Sequence, residues 1–505
     1  MARSASGIAC LVGAWLLLGP VGAQGFESRG FKVAPATPRK ATAEDVAAGK
    51  LLYQDYCMQC HGEQGDGQGV MADLLDPRPR DFRRGIYKIR RTPQGELPTD
   101  EDLFQIIGKG MPGTSMPGWS GLLSDAEIWQ LVDYIETFSE DFADYPAEQQ
   151  FLIEGLPEAT EESIALGAEI YVKAECAKCH GEGGRGNGPS ASEQQDEWEN
   201  KIWPADLTQP WVLRGGSTAA DIYRTVTTGV NGTPMPSFSD AWTHEDLGHL
   251  ANYIVSIGRA PVWGEIVRGT KTAAVPDDPF SPTWDEAPAL DIRLAGQIIQ
   301  EPRLFNPSVQ SLNVRALFDD SELALLLSWD DRFEDNGDNG NPSDRVSVFF
   351  SARELEAGKK PYFLMGDPKR PVDTWQWSAD GGTETFLARG LGETRPRPSS
   401  VIGSAAYRDG EYRVILRRSL QATQRDEIAF SPGEMIPIAW NVWDGDRGEV
   451  GKQRAISRWY YLLLEPETPW TVYLWPVAVV LLAAVGEVFG LRFLRRRWAA
   501  EQAQA

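Results

Sequence analysis

The hydrophobic and polar positions of this 505-residue chain change their pattern three times along its length. The stretches 41–140 and 159–260 contain capped segments with helical periodicity, whereas 284–465 carries short β-rich runs between Gly, Asn and Asp clusters. Acidic, proline-rich connectors at 141–158 and 261–283 are predicted to be linkers. The pattern therefore predicts a multidomain chain with two all-α domains and one β-sandwich. The clearest helical segments are 124–138 and 243–257, and the clearest β-runs are 323–329, 346–350, 412–416, 436–442 and 459–464.

Apolar runs stand near both ends of the chain. Residues 1–23 combine a positive start, an apolar stretch and a small-residue ending, which predicts a secretory signal peptide; an uncleaved membrane anchor is the alternative. Residues 24–40 are predicted to form a flexible leader. Residues 470–491 contain one charge, Glu487, and would extend ~33 Å as a transmembrane helix. By the positive-inside rule, the arginines that follow predict a cytoplasmic tail at 492–505 and a body outside the cytoplasm.

The two helical stretches are copies of one pattern. Each contains a C-x-x-C-H sequence, at residues 57–61 and 176–180. Met116 and Met235 each follow the histidine of their motif by 55 residues (116 − 61 and 235 − 180). Agreement over such a distance predicts two structurally equivalent domains.

The net charge and the cysteine content argue against several classes of function and of binding site. The formal net charge of −23 argues against nucleic-acid binding, which needs clustered Lys and Arg. It suits a protein partner with a basic docking face. Of five cysteines, Cys10 lies in the predicted signal peptide and the other four belong to the two motifs. No thiol is left for a structural disulfide or a cysteine-ligated iron–sulfur cluster.

The C-x-x-C-H pattern is the attachment signature of c-type haem. Two thiols bond one porphyrin, and the adjacent imidazole is placed to ligate the iron. Two such motifs predict two covalently bound haems c. The predicted attachment residues are Cys57, Cys60, Cys176 and Cys179, and the predicted proximal ligands are His61 and His180.

The sixth iron ligand is predicted by comparing the two copies. The first copy has no second histidine, so its other axial ligand is predicted to be a methionine. Met116 is the methionine that has a counterpart in the second copy, Met235. The alternatives are Met58, Met71 and Met111 in the first copy, and His244 and His249 in the second, where a satisfied histidine is the favoured interpretation.

These residues, with the G-T-x-M-P stretches at 113–117 and 232–236, resemble class I cytochromes c over most of 41–260. The loops at 79–82 and 204–207 are similar to the loop that passes the haem edge in that family. The resemblance implies a His/Met-ligated iron in an α-helical shell. Such an iron has no vacant position, which favours reversible one-electron transfer over catalysis.

The β-rich stretch resembles the haem b (gamma) subunit of ethylbenzene dehydrogenase and related molybdenum enzymes of the dimethyl sulfoxide reductase family. That family holds one noncovalent haem b through Met and Lys. The resemblance implies Met365, in a Met-Gly-Asp-Pro motif, as one ligand and Lys452 as the other. Arg454 competes with Lys452 for the aligned position, and an arginine would not ligate. The supporting motifs are at 297–302, 327–331, 365–368, 375–377, 439–445 and 455–459.

The acidic loop 330–344 lacks the ligand order of a calcium loop, so a solvated turn is predicted there. The sequence as a whole predicts a membrane-anchored periplasmic multihaem cytochrome that is not itself an enzyme. By resemblance, its partners are molybdenum/iron–sulfur enzyme subunits and a c-type cytochrome or membrane oxidase. The alternatives are a dihaem redox enzyme such as a peroxidase, and a dihaem carrier with a non-haem β binding module.

Overall fold

The computed structural model describes residues 22–338, 340–353, 359–466 and 471–502. The predicted signal peptide lies outside these ranges except for its last two residues, Gly22 and Ala23.

Helices dominate the chain as far as residue 257. Four helices of the first domain have counterparts in the same order in the second, α2 with α7, α3 with α8, α4 with α9 and α5 with α10. The elements are α1 (Gly22–Glu27), β1 (Val33–Pro35), α2 (Ala43–Tyr56), α3 (Met58–His61), α4 (Asp100–Lys109), α5 (Asp125–Ile135), α6 (Asp141–Asp144), β2 (Gln149–Phe151), α7 (Glu161–Lys173), α8 (Ala177–His180), α9 (Ala219–Thr228) and α10 (His244–Ile257).

Side-chain caps determine where the main helices begin. Thr42 accepts a hydrogen bond from the backbone N–H of Asp45 at the start of α2, and Thr160 caps α7 in the same way. Ser124 and Thr243 form capping boxes at the starts of α5 and α10. Such caps satisfy backbone N–H groups that have no partner within the helix.

Helices α2 and α5 of the first domain cross at a glycine, and so do helices α7 and α10 of the second. A Cβ atom on Gly49 of α2 would lie 1.8 Å from the carbonyl oxygen of Gln130 on α5. A Cβ atom on Gly167 of α7 would lie 2.1 Å from the carbonyl oxygen of His249 on α10. Only glycine allows so close an approach of two backbones. The repeat seen in the sequence is therefore a repeat of helix packing.

The leader predicted at 24–40 and the linker predicted at 141–158 are joined to each other. Strand β1 pairs antiparallel with β2, and Val33 lies opposite Phe151. Phe31 and Phe151 are both buried in the hydrophobic core of the second helical domain. The leader is thus an ordered part of that domain, because two aromatic side chains bury apolar surface there.

The β-rich region forms one hydrogen-bonded network of thirteen strands. Their order is β10-β9-β8-β7-β13-β14-β4-β5-β6-β12-β11; β15 pairs with β13 and β3, and β3 also pairs with β5. The strands are β3 (Ile266–Lys271), β4 (Leu290–Gly296), β5 (Ser311–Phe318), β6 (Glu322–Asp330), β7 (Arg345–Ser351), β8 (Val372–Ser378), β9 (Gly382–Ala388), β10 (Thr394–Arg397), β11 (Ile402–Arg408), β12 (Glu411–Ser419), β13 (Met435–Trp443), β14 (Ala455–Ser457) and β15 (Tyr460–Leu464).

The network folds over a common core. Trp377 on β8 and Tyr412 on β12 are far apart in the strand order, yet their ring centroids are 5.6 Å apart. The five predicted β-runs all lie on observed strands. The linker predicted at 261–283 contributes β3, whose Val267 is completely buried in this core.

A final helix, α11 (Thr471–Gln502), follows the β domain. Its segment Leu474–Ala500 is long and apolar enough to cross a membrane, and none of it is buried against the rest of the chain. The helix extends beyond the predicted span 470–491 and includes the arginines that follow. That this helix crosses a membrane stays a prediction.

Arg90 joins the two helical domains. Its side chain is completely buried, and its guanidinium donates to the carbonyl oxygens of Thr228 (2.8 Å) and Gly229 (3.3 Å) in the second domain. It also donates to the carbonyl oxygen of Pro93 in its own domain (3.2 Å). Because Thr228 and Gly229 are buried as well, these hydrogen bonds are protected from water and the arginine holds the domains in a fixed relation.

We expect Arg90→Ala to lower the free energy of unfolding of the helical domains by roughly 3 kcal/mol, since two buried acceptors and one partly buried acceptor lose a charged donor. Thermal denaturation followed by circular dichroism measures the change. Arg78→Ala is the control, because Arg78 pairs with Asp73 at the exposed surface and should contribute less than about 1 kcal/mol. Equal effects of the two substitutions would contradict this role of Arg90.

Candidate functional site

A cavity of about 530 Å³ lies in the second helical domain, within the range of small-molecule and cofactor sites. Cys176, Cys179, His180 and Met235 all line it. The structure thus brings together the four residues that the sequence predicts for the second haem.

The last four residues of each C-x-x-C-H motif form a short helix, α3 in the first domain and α8 in the second, and each helix ends at the motif histidine. The Nδ1 atom of His180 at the end of α8 lies 2.9 Å from the carbonyl oxygen of Ala205. In the first domain, Nδ1 of His61 lies 3.1 Å from the carbonyl oxygen of Arg80. A carbonyl only accepts, so Nδ1–H is the donor and Nε2 remains free to ligate a metal.

Burial keeps the site groups in their uncharged forms. It lowers the pKa of His61 to about 4 and also lowers the pKa of His180. The neutral imidazole is the form that binds iron. Burial raises the pKa of the Cys57 thiol to about 12 and that of Cys176 to about 11. All four motif cysteines are free thiols rather than disulfides.

The predicted methionine ligand of the first domain lies in a tight turn. The Thr114 hydroxyl donates to the carbonyl of Met111 (2.8 Å) and accepts from the N–H of Met116 (3.1 Å). The N–H of Met111 donates to the carbonyl of Met116 at 3.0 Å, and Gly113 has φ +67°. Glycine takes that conformation without strain.

The same turn recurs in the second domain. The Thr233 hydroxyl donates to the carbonyl of Val230 (2.7 Å) and accepts from the N–H of Met235 (3.3 Å), and Gly232 has φ +75°. Met235 therefore occupies the place of Met116. The residue of the second domain that corresponds to Met111 is Val230, so the Met111 sulfur has no counterpart there. The repeated geometry supports the pair chosen from the spacing.

Both rival histidines have protein partners away from the cavity. His244 Nδ1 lies 2.6 Å from the Tyr223 hydroxyl, and its Nε2 lies 3.1 Å from the carbonyl of Gly155. His249 Nδ1 lies 2.8 Å from the Ser163 hydroxyl. Neither lines the cavity, and both serve to connect helices.

The cavity also offers cationic and hydrogen-bond donor groups that the sequence did not single out. Lys88 of the first domain and Arg214 of the second line it. Neither forms an ion pair among the described residues, and burial lowers the pKa of Lys88 to about 7. The indole N–H of Trp203, also in the lining, is buried and has no hydrogen-bond partner among the described residues. A haem carries two carboxylates, which pair well with cationic and N–H donors such as these. The residues that line the cavity therefore fit a haem.

The second domain's cavity is walled by more than its own residues. Asp76 and Gly113 come from the first helical domain, and Asp330, Arg332 and Arg447 come from the β domain. No motif or spacing connects these positions in the sequence. Only the three-dimensional contact of the three domains makes them neighbours of the predicted haem.

The β domain gives a different result around Met365. This residue is buried and has φ +61°, a backbone conformation that is uncommon for a non-glycine residue. Its Sδ atom is contacted by Nη1 of Arg454 at 3.0 Å. Arg454 is itself buried, stacks on the Trp443 ring at 4.4 Å and donates to the carbonyl of Gly451 at 2.7 Å.

Lys452 is only half buried, and its Cε atom lies 3.8 Å from the position that a Cβ on Gly392 would take. Arg454 instead faces the sulfur, and a guanidinium stays protonated and has no lone pair for iron. Among the described residues, the hydrogen bond to the Met365 sulfur comes from Arg454, so a haem b held by Met365 and Lys452 stays a prediction.

Two family models match the chain. The model described as cytochrome c oxidase, cbb3-type, subunit III matches residues 44–135 and again 162–254. The model described as ethylbenzene dehydrogenase matches residues 281–396. The first match implies covalently bound haem c, and the second suggests haem b in the β domain.

Known relatives include subunits of respiratory enzymes. The gamma subunit of chlorate reductase from Ideonella dechloratans is 28% identical over 189 residues, which are 36% of this chain and 78% of the relative. The gamma subunit of dimethylsulfide dehydrogenase from Rhodovulum sulfidophilum is 24% identical over 210 residues, which are 38% of this chain and 77% of the relative. Cytochrome c55X from Stutzerimonas stutzeri is 34% identical over 103 residues, which are 20% of this chain and 68% of the relative. The chain thus belongs to the c-type cytochromes and joins two cbb3-type cytochrome c domains to an ethylbenzene dehydrogenase gamma-like domain.

Proposed function

We propose that this protein relays electrons as the membrane-anchored, periplasmic cytochrome subunit of a molybdenum oxidoreductase complex. The observation that carries the proposal is the repeated site: two copies of the same His-and-Met geometry, built in domains that contact each other. The relatives named as gamma subunits of chlorate reductase and dimethylsulfide dehydrogenase support the assignment to an enzyme complex.

Haem c, when bound at the paired thiols, supplies a one-electron carrier. The chain's contribution is to hold two neutral imidazoles by backbone carbonyls and to fix Met116 and Met235 in matching turns. With Met116 and Met235 as the residues that would hold the iron opposite the histidines, a bound haem c would have a raised reduction potential and no open position. A closed site favours relay over peroxidase chemistry, which needs an open position and an acid/base group.

Contacts between the two helical domains support transfer within the chain. A Cβ on Gly113, in the first methionine turn, would lie 2.8 Å from the carbonyl oxygen of Val212 in the second domain. A Cβ on Gly232, in the second methionine turn, would lie 2.9 Å from the Ile86 side chain in the first. Each methionine turn thus packs against the other domain, which keeps the two sites close.

The charge and the last helix support the remaining parts of the proposal. The net charge of −23 suits rapid docking of basic redox partners such as a c-type cytochrome or a membrane oxidase. Helix α11 is long and apolar enough to anchor the chain, and its arginines favour a cytoplasmic C-terminus. The catalytic step would belong to the partner subunit.

We expect intact-protein mass spectrometry to show two covalent haem additions on the full chain. The double substitutions Cys57→Ala/Cys60→Ala and Cys176→Ala/Cys179→Ala should each remove one addition, because each motif holds one haem. Each variant serves as the control for the other. A wild-type protein without added porphyrin would end the proposal.

The reduction potential tests the choice of methionine. Met116→His should lower the potential of one haem by on the order of 0.1 V, part of the ~0.8 V range that axial ligands span. The other haem should be unchanged in spectroelectrochemical titration. Met111→Leu, in the same turn, is the matched control and should leave both potentials unchanged. A shift with Met111→Leu but none with Met116→His would reverse the assignment.

Noncovalent haem tests the β domain. Because Arg454 occupies the contact to Met365, we propose that both carriers are haem c and that no haem b is bound there. Acid–acetone extraction of the full-length protein should release no stoichiometric haem. One extractable haem per chain that disappears in Met365→Leu would show instead that Arg454 moves aside and that the family's cofactor is retained.

A further inference from the structure

Three buried carboxylates converge at one edge of the β domain, beside the cavity of the second helical domain. Asp331 follows β6, Asp344 precedes β7 and Asp444 follows β13. Their ligand oxygens all lie within 4.8 Å of one another, and the three residues are at most 5% exposed. We call these three residues the acidic cluster.

Only neutral groups donate to the acidic cluster. Asp344 accepts from the N–H groups of Asp335 and Gly445, both at 2.8 Å. Asp331 accepts from the Trp329 indole (3.2 Å) and the Phe333 N–H (3.3 Å). Asp444 accepts from the N–H of Arg447 (3.3 Å). Among the described residues, no Lys, Arg or His forms an ion pair with any of the three.

Three carboxylates so close together in a buried place repel one another and are poorly solvated. Burial raises the pKa of Asp331, Asp344 and Asp444, and repulsion from Asp444 adds to the rise for Asp331 and Asp344. The positive charges of Arg332 and Arg447 lower the pKa of Asp444 and so oppose part of the effect of burial. The cluster must take up protons or a cation to be stable at neutral pH.

Two further buried groups favour the cation. Glu449 is 2% exposed; its Oε2 accepts from the N–H of Asp444 at 3.2 Å, and its Oε1 has no partner among the described residues. Tyr412 is also 2% exposed, and its hydroxyl lies beside the Asp344 carboxylate without a hydrogen bond of good geometry. Buried polar oxygens without partners are costly, and a metal ion supplies the missing contact.

We infer that Asp331, Asp344 and Asp444 bind one divalent cation, and that this cation is Ca²⁺. The candidate ligands are oxygen atoms, which hard cations prefer. Ca²⁺ takes about 6–8 oxygen ligands in a flexible geometry, whereas Mg²⁺ demands a near-ideal octahedron and keeps several waters. Carboxylates that come from the ends of three separate strands therefore suit the more adaptable Ca²⁺.

The position of the site gives the ion a structural role. Asp331 and Asp444 line the cavity of the second helical domain, together with their neighbours Arg332 and Arg447. Bound Ca²⁺ would tie the loop after β6 to the turn after β13. It would thereby fix the two arginines that form the β-domain wall of the haem cavity.

The test uses the full-length protein with its haems, freed of metal by a chelator and titrated with Ca²⁺ in a calorimeter. We expect one Ca²⁺ per chain and a higher midpoint of thermal unfolding with Ca²⁺ than with chelator. Asp344→Asn should abolish both effects. Asp338→Asn is the matched control, because Asp338 is exposed in the same loop and should leave both unchanged.

Where Asp344→Asn does not fold, Asp331→Asn and Asp444→Asn replace it and should each weaken binding at least tenfold. A wild-type chain that takes up no Ca²⁺ at millimolar concentration would show that protons neutralise the cluster. Binding that survives in all three variants would place the ion elsewhere. Equal competition by Mg²⁺ would overturn the choice of Ca²⁺.

Discussion

The hydrogen bond from each motif histidine to a backbone carbonyl is the contact on which the rest of the protein depends. It orients the imidazole and leaves Nε2 free. The carbonyl that accepts from His61 belongs to Arg80, whose guanidinium stacks on Trp198 of the second helical domain at 4.3 Å. The orientation of the first histidine is therefore connected to the packing of one domain on the other.

The second histidine is connected in the same way to the β domain. Its acceptor, Ala205, precedes Asp206, which accepts hydrogen bonds from Thr208 and Gln209. Gln209 also bonds to Asp330 at the end of β6. Each histidine is thus held by a loop whose other side contacts the next domain. This arrangement explains why the three domains meet at the haem cavity rather than being connected only by linkers.

The sequence predicted what depends on local pattern or on repetition. Met116 and Met235 could be paired because their spacing from the motif is identical, and five of the thirteen described strands of the β domain showed their own β-rich runs. It did not predict that β1 pairs with β2, since three-residue strands 116 residues apart carry no periodicity. It missed the acidic cluster because a calcium-loop motif seeks its ligands within one loop, whereas Asp331, Asp344 and Asp444 come from the ends of three strands. Whether Lys452 or Arg454 faces Met365 depends on a two-residue register, which only the three-dimensional contact resolves.

The β domain matches the ethylbenzene dehydrogenase model over residues 281–396, yet an arginine contacts the sulfur of its candidate haem ligand. With Arg454 against the Met365 sulfur, the buried turn at Met365 becomes part of the packing, since the guanidinium also stacks on Trp443. The domain also contacts both helical domains, because Asp330 pairs with Arg185 of the second helical domain and Arg447 pairs with Asp76 of the first. On the proposal that the β domain binds no haem of its own, its contribution would be the wall that it forms at the cavity of the second helical domain. Its effect on electron transfer would then come from the charges that it positions around that cavity.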